Sequence, residues 1–454
     1  MRLKSVNEET LNNRKQLFRL TWPIFCEAVL FSIIGSMDVI MLSRYSDNAV
    51  GAVGVANQIL FLFQVISNII TTGTAILCAQ YIGAGRDLKE KQPLILGALM
   101  VNGILGMLFS IGIGLGSDLI LRLMDVSEEL YIHGKQYLTI VGSFQFVQTI
   151  TMTFTALIRA HGKTAATMVF SLIMNLANLM LNYVLIYGKF GFPVMGAAGA
   201  ATATVVSKAL ACVMASVYLF SKVVPGMSFV PNWKETGTAI RKILSYGAPA
   251  AGEQISYTLS KLVTTAMITG LGTVAVNTYS YANTIVSYVY LFSLAIGQGT
   301  SIIVGWETGK KKVEQAKSIC LFSEKCSFII AMAVVGVLCL LRKQAMGLFT
   351  ENPEIITLGA AVILADIILE AGRSRNLVLV NALRAAGDVR FPLYIGLFSM
   401  WFFGVGVAWL LGIGLNWGLV GIWIGIGLDE FFRAVGMQIR WKKGSWIRFI
   451  TKDA

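Results

Sequence analysis

The sequence predicts an all-α polytopic membrane protein, with twelve transmembrane helices in two parallel six-helix repeats that form two lobes. Three observations predict it. Of 454 residues, 56% are hydrophobic and only 13% charged, with a mean hydropathy of +0.70. No soluble domain needs that much apolar surface. Apolar runs long enough to cross a bilayer recur along the chain, and basic residues gather at every second break between them. The second half also repeats the first at a nearly constant offset.

Taken in order, the first half holds spans near 16–43, 52–82, 93–117, 131–160, 165–188 and 195–221. The first follows a basic, polar stretch, MRLKSVNEETLNNRKQLFRLTW. It lacks the short apolar core and small-residue cleavage site of a signal peptide and is expected to stay in the mature protein. The second half holds spans near 241–270, 277–306, 317–341, 355–383, 391–413 and 416–440. Between them, 222–240 carries Pro225 and Pro231 and is the longest polar break. The domains are therefore an N-lobe (1–221), a cytoplasmic linker (222–240) and a C-lobe (241–454).

Charge sets the orientation. Arg14, Lys15 and Arg19, then Arg86, Lys89 and Lys91, then Arg159 and Lys163 fall on alternate loops, as do Lys222 to Lys242, Lys310 to Lys317, Arg384 with Arg390, and Arg440 to Arg448. The opposite loops hold only Arg44, Arg122, Lys135, Lys189, Arg342 and Lys343. Basic loops stay inside, so both termini are expected to be cytoplasmic in a multi-pass plasma-membrane protein. The formal charge of +13 then reflects a membrane face and calls for no nucleic acid. The lipid bilayer and a small-molecule substrate are the expected partners, and the protein is expected to be a monomer.

The repeat is read residue by residue. Pro23 and Pro249, Glu27 and Glu253, Asn57 and Asn283, Gly73 and Gly299, and Gly83 and Gly309 all lie 226 apart. The offset is 225 for Arg159 and Arg384, and 222 for Gly196 and Gly418. Each half starts inside and has an even number of spans, so the repeats are parallel and substrate is expected between the halves.

Ionisable and amide side chains in apolar helices mark functional candidates. Asp38 lies in IIGSMDVIML, in the outer half of an outward-running span. A carboxyl in low dielectric can carry a proton, or it can reach interfacial water near the helix end. Asn178 and Asn182 are one turn apart on one face of span 5. Thr204 lies about two to three turns into span 6, at similar depth. Such oxygens suit Na⁺, and the carboxylate alone suits H⁺; interhelical hydrogen bonding is the other reading, and the one favoured for Asn175.

In the second half, Glu253 and Lys261 lie in span 7, and Asp366, Glu370 and Arg373 in span 10. Unpaired charges there are costly, so pairing across the two spans is expected; the set is either a structural ion-pair network or part of a substrate cavity. Pro23 with Glu27 four residues on is a candidate hinge, because proline frees a backbone bond; the other reading puts Glu27 close enough to the cytoplasmic end to reach water.

The pieces LTWPIFCEAVLFSIIGSMDVIMLSRY, TALIRAHGKTAATM, NLANLMLNYVLIYG and MGAAGAATAT, with NALRAAGDVRFP and WGLVGIWIG in the second half, resemble the multidrug and toxic compound extrusion (MATE) family over nearly the whole chain. The resemblance implies a V-shaped pair of six-helix lobes and cation-coupled efflux by alternating access. It also implies an N-lobe cation site at Asp38, Asn178, Asn182 and Thr204. At the last fifth-helix position many members have Asp where this chain has Asn182, which leaves one carboxylate and favours H⁺ over Na⁺. No second cation site carries over to the C-lobe, where Arg373 stands near the position at which the resemblance would place one of the acids.

The expected function is secondary antiport of small organic compounds, cationic or amphipathic, with H⁺ or less favourably Na⁺ as coupling ion and no cofactor. A flippase or exporter of a lipid-linked or anionic metabolite is the rival reading, kept open by Arg373 and Arg375. An enzyme is disfavoured, because His133 and His161 form no metal pattern and the six cysteines stand mostly alone in apolar segments. No G-x-x-x-x-G-K-[ST] loop provides for ATP.

Overall fold

The computed structural model describes residues 2–450 and is helical throughout, with no strand among the described residues. The helices are α1 (Arg2–Ser43), α2 (Asp47–Gly83), α3 (Leu88–Leu123), α4 (Glu128–Ser143), α5 (Gln145–Ala160), α6 (Thr164–Tyr187) and α7 (Gly196–Tyr218) in the first half. The second half contributes α8 (Trp233–Gly270), α9 (Thr273–Gly309), α10 (Val313–Leu340), the short α11 (Arg342–Gly347), α12 (Pro353–Ala385), α13 (Arg390–Ser399), α14 (Gly418–Lys443) and α15 (Ile447–Ile450). Eleven of the twelve predicted spans fall on these helices and the eleventh in order runs from α13 into π-type turns; the all-α polytopic architecture is borne out. Many large apolar side chains point outward, Leu115, Leu123, Leu340 and Leu348 among them, as lipid contact requires.

Nine of the described helices are long and apolar enough to cross a membrane, and the bent pair α4–α5 makes ten. The two remaining spans are α8 and α14. Both are long enough, but their charged residues, among them Glu253 and Lys261 in α8 and Asp429, Glu430 and Arg433 in α14, lower their mean hydropathy.

Three boundaries differ from the sequence expectation. Span 4 is broken rather than continuous: α4 and α5 meet at Phe144 with a 49° bend. Gly142 and Ser143 precede the break, a pairing that favours kinks. The Phe146 amide that loses its helical partner donates to Ser110 Oγ at 2.9 Å. Span 11 leaves the α-helix after Ser399 for wider π-type turns over Met400–Val407 and Leu410–Gly414. The seventh span starts early, because α8 already begins at Trp233 and so takes in the end of the polar linker.

The chain divides into two compact units. The N unit is Cys26–Cys78 with Arg86–Ala248; the C unit is the segment up to Phe25, Ala79–Gly85, and Pro249 onward. The divisions in α1 and α8 fall beside the repeat-related prolines, after Phe25 and at Pro249. In each unit the repeat is visible in glycine contacts. In the C unit, a Cβ on Gly83 would overlap the Trp306 carbonyl, and one on the repeat-related Gly309 would overlap that of Gln80. In the N unit, Gly73 and Gly247 bring α2 and α8 together, each against the other helix's backbone. The counterpart in the C unit brings Gly299 of α9 against Thr21 of α1. Small residues allow such backbone approach where lipid gives helices no hydrophobic reason to associate.

Candidate functional site

In the N unit, α1, α4, α6 and α7 converge on Asp38. Asn182 Nδ2 donates to Asp38 Oδ1 at 2.7 Å and to Asn178 Oδ1 at 3.2 Å. The helical spacing of the two asparagines aims both at one point. Asn178 and Asn182 are buried, and Asn182 Oδ1 has no partner among the described residues. That oxygen is a free acceptor next to a carboxylate, which suits a proton or a cation. Thr204 takes a less direct place than expected. Its hydroxyl donates to the Ala200 carbonyl at 2.9 Å, and its neighbour is Tyr137 of α4, which also lies close to Asp38. Asn175 is buried, and its amide nitrogen has no partner among the described residues.

Glu27 does not rely on water. Arg159 Nη2 donates to its Oε2 at 2.7 Å, and Ser171 Oγ donates to Oε1 at 2.6 Å. The carboxylate thus ties α1 to α5 and α6. Lys208 stands one turn after Thr204 in α7, inside the apolar run VVSKALACVM, and sequence reasoning missed it.

In the C unit, Glu253 pairs across spans 7 and 10 as expected, but with a different arginine. Arg384 Nη2 donates to Glu253 Oε2 at 2.6 Å, and Arg433 Nη1 lies 3.9 Å from Oε1. Arg433 also holds Asp429 at 2.8 Å and Glu430 at 2.8 Å, and Asn376 Nδ2 donates to Glu430 Oε2 at 2.8 Å. The expected cross-span pairing of Glu370 is corrected: its partner is Arg373 of the same helix, at 2.7 Å, because a spacing of three puts both on one face. Asp366 accepts from Trp423 Nε1 at 3.0 Å. Lys261 was expected to pair and has no ion pair or hydrogen bond to its ammonium among the described residues. Arg375 lies 3.5 Å from Glu324 and stacks over Phe328 at 4.0 Å.

Glu27–Arg159 and Glu253–Arg384 are one ion pair made twice. Arg159 and Arg384 looked like loop charges that set the topology. The repeat offset was the available signal, since it carries the glutamates and the arginines together.

A cavity of about 390 Å³ opens within the C unit, lined by Glu253, Tyr257, Lys261, Tyr290, Arg373 and Arg433 among others. Its size is that of a small-molecule site. Among the described residues no cluster of three or more His, Cys, Asp or Glu could hold a metal ion.

The MatE family model matches twice, at 23–184 and 249–410, two stretches offset by 226 positions. An uncharacterized transporter, YisQ of Bacillus subtilis, is 38% identical, covering 95% of each chain. A probable multidrug resistance protein NorM of Thermotoga maritima is 26% identical over 97% of this chain and 94% of its own. Among solved structures, a Vibrio cholerae MATE transporter matches with a TM-score of 0.86 at 17% identity, covering 96% of this chain and 97% of that one. An outward-facing multidrug resistance transporter of the MATE family matches with a TM-score of 0.85 at 20% identity, covering 97% of each.

Proposed function

The chain belongs to the MATE family of multi-pass membrane transporters, and on that premise we propose that it exports small amphipathic organic compounds in exchange for protons. Members of this family are transporters and not enzymes. The coupling group in this reading is Asp38, with Asn178, Asn182 and Thr204 around it. One observation carries it: a single carboxylate accepts from a buried amide whose own oxygen lacks a partner among the described residues.

A charged Asp38 accepts from Asn182 Nδ2. A protonated Asp38 has a hydroxyl to donate, and rotation of the Asn182 amide would offer Oδ1 as its acceptor while withdrawing the bond to Asn178. Loading one proton therefore rearranges contacts between α1 and α6. Such a local two-state change is what a transporter needs to bias one lobe arrangement over another. A sodium ion would want several oxygens and benefits from more than one formal charge, and this set supplies one. Pro23 and Glu27 act as the hinge of α1 in this reading, supported by the division of that helix just after Pro23. The protein works as a monomer in the plasma membrane with both termini cytoplasmic, supported by the basic residues on alternate loops.

Transport in proteoliposomes, with pH and Na⁺ gradients imposed separately, tests the proposal. Export of an amphipathic probe driven by the pH gradient alone is expected. Export that needs Na⁺ and ignores the pH gradient would overturn the proton reading.

A further inference from the structure

The cavity of the C unit carries two groups of charge that differ in how they are satisfied. In one group, Glu253, Glu430, Arg384 and Arg433 close on each other. Arg384 lies 2.6 Å from Glu253 and Arg433 2.8 Å from Glu430, and Asn376 takes the other Glu430 oxygen at 2.8 Å. The acids on the wall are thus already held by arginines.

The other group is Lys261 and Arg373, which line both this cavity and a smaller one that adjoins it, together with Tyr257 and Asn283. Lys261 is exposed to this space and has no partner for its ammonium among the described residues. Arg373 gives one nitrogen to Glu370, whose side chain is 0% exposed and lies behind the wall rather than on it. The Arg373 guanidinium carbon sits 5.7 Å from the Tyr290 ring. An ammonium within a membrane protein needs an anion or water beside it, and among the described residues no acid pairs with Lys261.

We infer that Lys261 and Arg373 form the anion-binding end of the substrate cavity, which takes the carboxylate of a small amphipathic organic acid. The ammonium and the remaining guanidinium donors hold the carboxylate by charge-assisted hydrogen bonds. Tyr257 and Tyr290 flank the apolar body of the ligand, and Asn283 offers it a neutral polar contact. An organic cation would meet two positive groups at this end, where the acid that also lines the smaller cavity, Asp429, is held by Arg433 at 2.8 Å, and only arginine-bound acids at the other. The inference rests on the reading of this cavity as the substrate site of an antiporter, and it names the charge class.

Two probes of nearly equal size and opposite charge decide it: naphthoate and naphthylmethylammonium, titrated calorimetrically into the purified full chain in detergent. Saturable naphthoate binding, stronger than that of the cation, is expected. Lys261→Met should weaken it at least about tenfold, while Lys261→Arg restores most of it. The paired variant Glu370→Gln with Arg373→Gln, which strands no charge, should weaken it as well and stands in if Lys261→Met does not fold. Tighter binding of the cation by wild type, or naphthoate affinity unchanged in the folded variants, would overturn the inference. Gradient-driven export of the cation with no naphthoate binding would overturn the anion class and leave antiport standing. Lys261-dependent naphthoate binding without gradient-driven export would support the subsite and remove antiport.

Discussion

Asn182 serves two acceptors, Asp38 and Asn178, with a single amide nitrogen. Asn182→Asp places a second carboxylate beside Asp38, so the variant should gain saturable Na⁺-dependent thermal stabilisation that wild type lacks. Melting curves across Na⁺ concentration check it, and equal stabilisation of wild type would contradict it. Glu253 makes a different point. Removing its charge alone strands Arg384 and disturbs Arg433, which should cost about 3–5 kcal/mol. The double variant Glu253→Gln with Arg384→Gln should lose less than the sum of the two single variants, measured as urea or thermal stability in detergent. His161, in the loop between α5 and α6, is held below its ordinary range by burial, and nearby Lys91 and Lys163 act in the same direction. The folded state favours the neutral ring, so stability should be full above about pH 6.5 and fall as pH drops below it. His161→Gln should flatten that acid limb. Asp38, Asn178 and Asn182 were legible because polar residues stand out in apolar runs. Tyr137 was not, since a tyrosine in a membrane helix looks like ordinary packing. Lys208 is less legible, because α7 holds no acid at helical spacing from it. Arg159 and Arg384 were assigned to topology, when the repeat linked each to a glutamate.

The helices show where pattern suffices and where it does not. A run of about 20 mainly apolar residues identifies most spans whatever their internal shape, and the alternation of basic loops supports the count where charges dilute the run, as in α8 and α14. The bend at Phe144 and the π-type turns of span 11 arise from local hydrogen-bond choices, such as Phe146 N to Ser110 Oγ, that hydropathy does not record. The early start of α8 has the same origin, since a polar helix end and a polar linker have similar composition. Close helix crossings were only partly legible. Gly83 and Gly309 were visible as a repeat pair, but their neighbours Trp306 and Gln80 were not. Gly83→Val or Gly309→Val should destabilise the C unit by about 3 kcal/mol or more, because the new side chain meets backbone that cannot move aside. The valine variants should melt well below wild type, whereas alanine at Gly103, where a Cβ has open space, should have little effect.

Across the full chain, the repeat ties sequence to function. Two halves with the same helices and the same Glu–Arg pair carry different chemistry at their centres: one carboxylate among amides in the N unit, a charge-rich cavity in the C unit. Under the proposed function, that asymmetry assigns the coupling ion to the N unit and the substrate to the C unit, with Asp38 as the group on which antiport would depend. The most direct test is gradient-driven export by Asp38→Asn in proteoliposomes under an imposed pH gradient, using whichever of naphthoate and naphthylmethylammonium the protein binds, with a melting curve to show that the variant is folded. Export driven by the pH gradient should be lost in the folded variant. Export at the wild-type rate would contradict it.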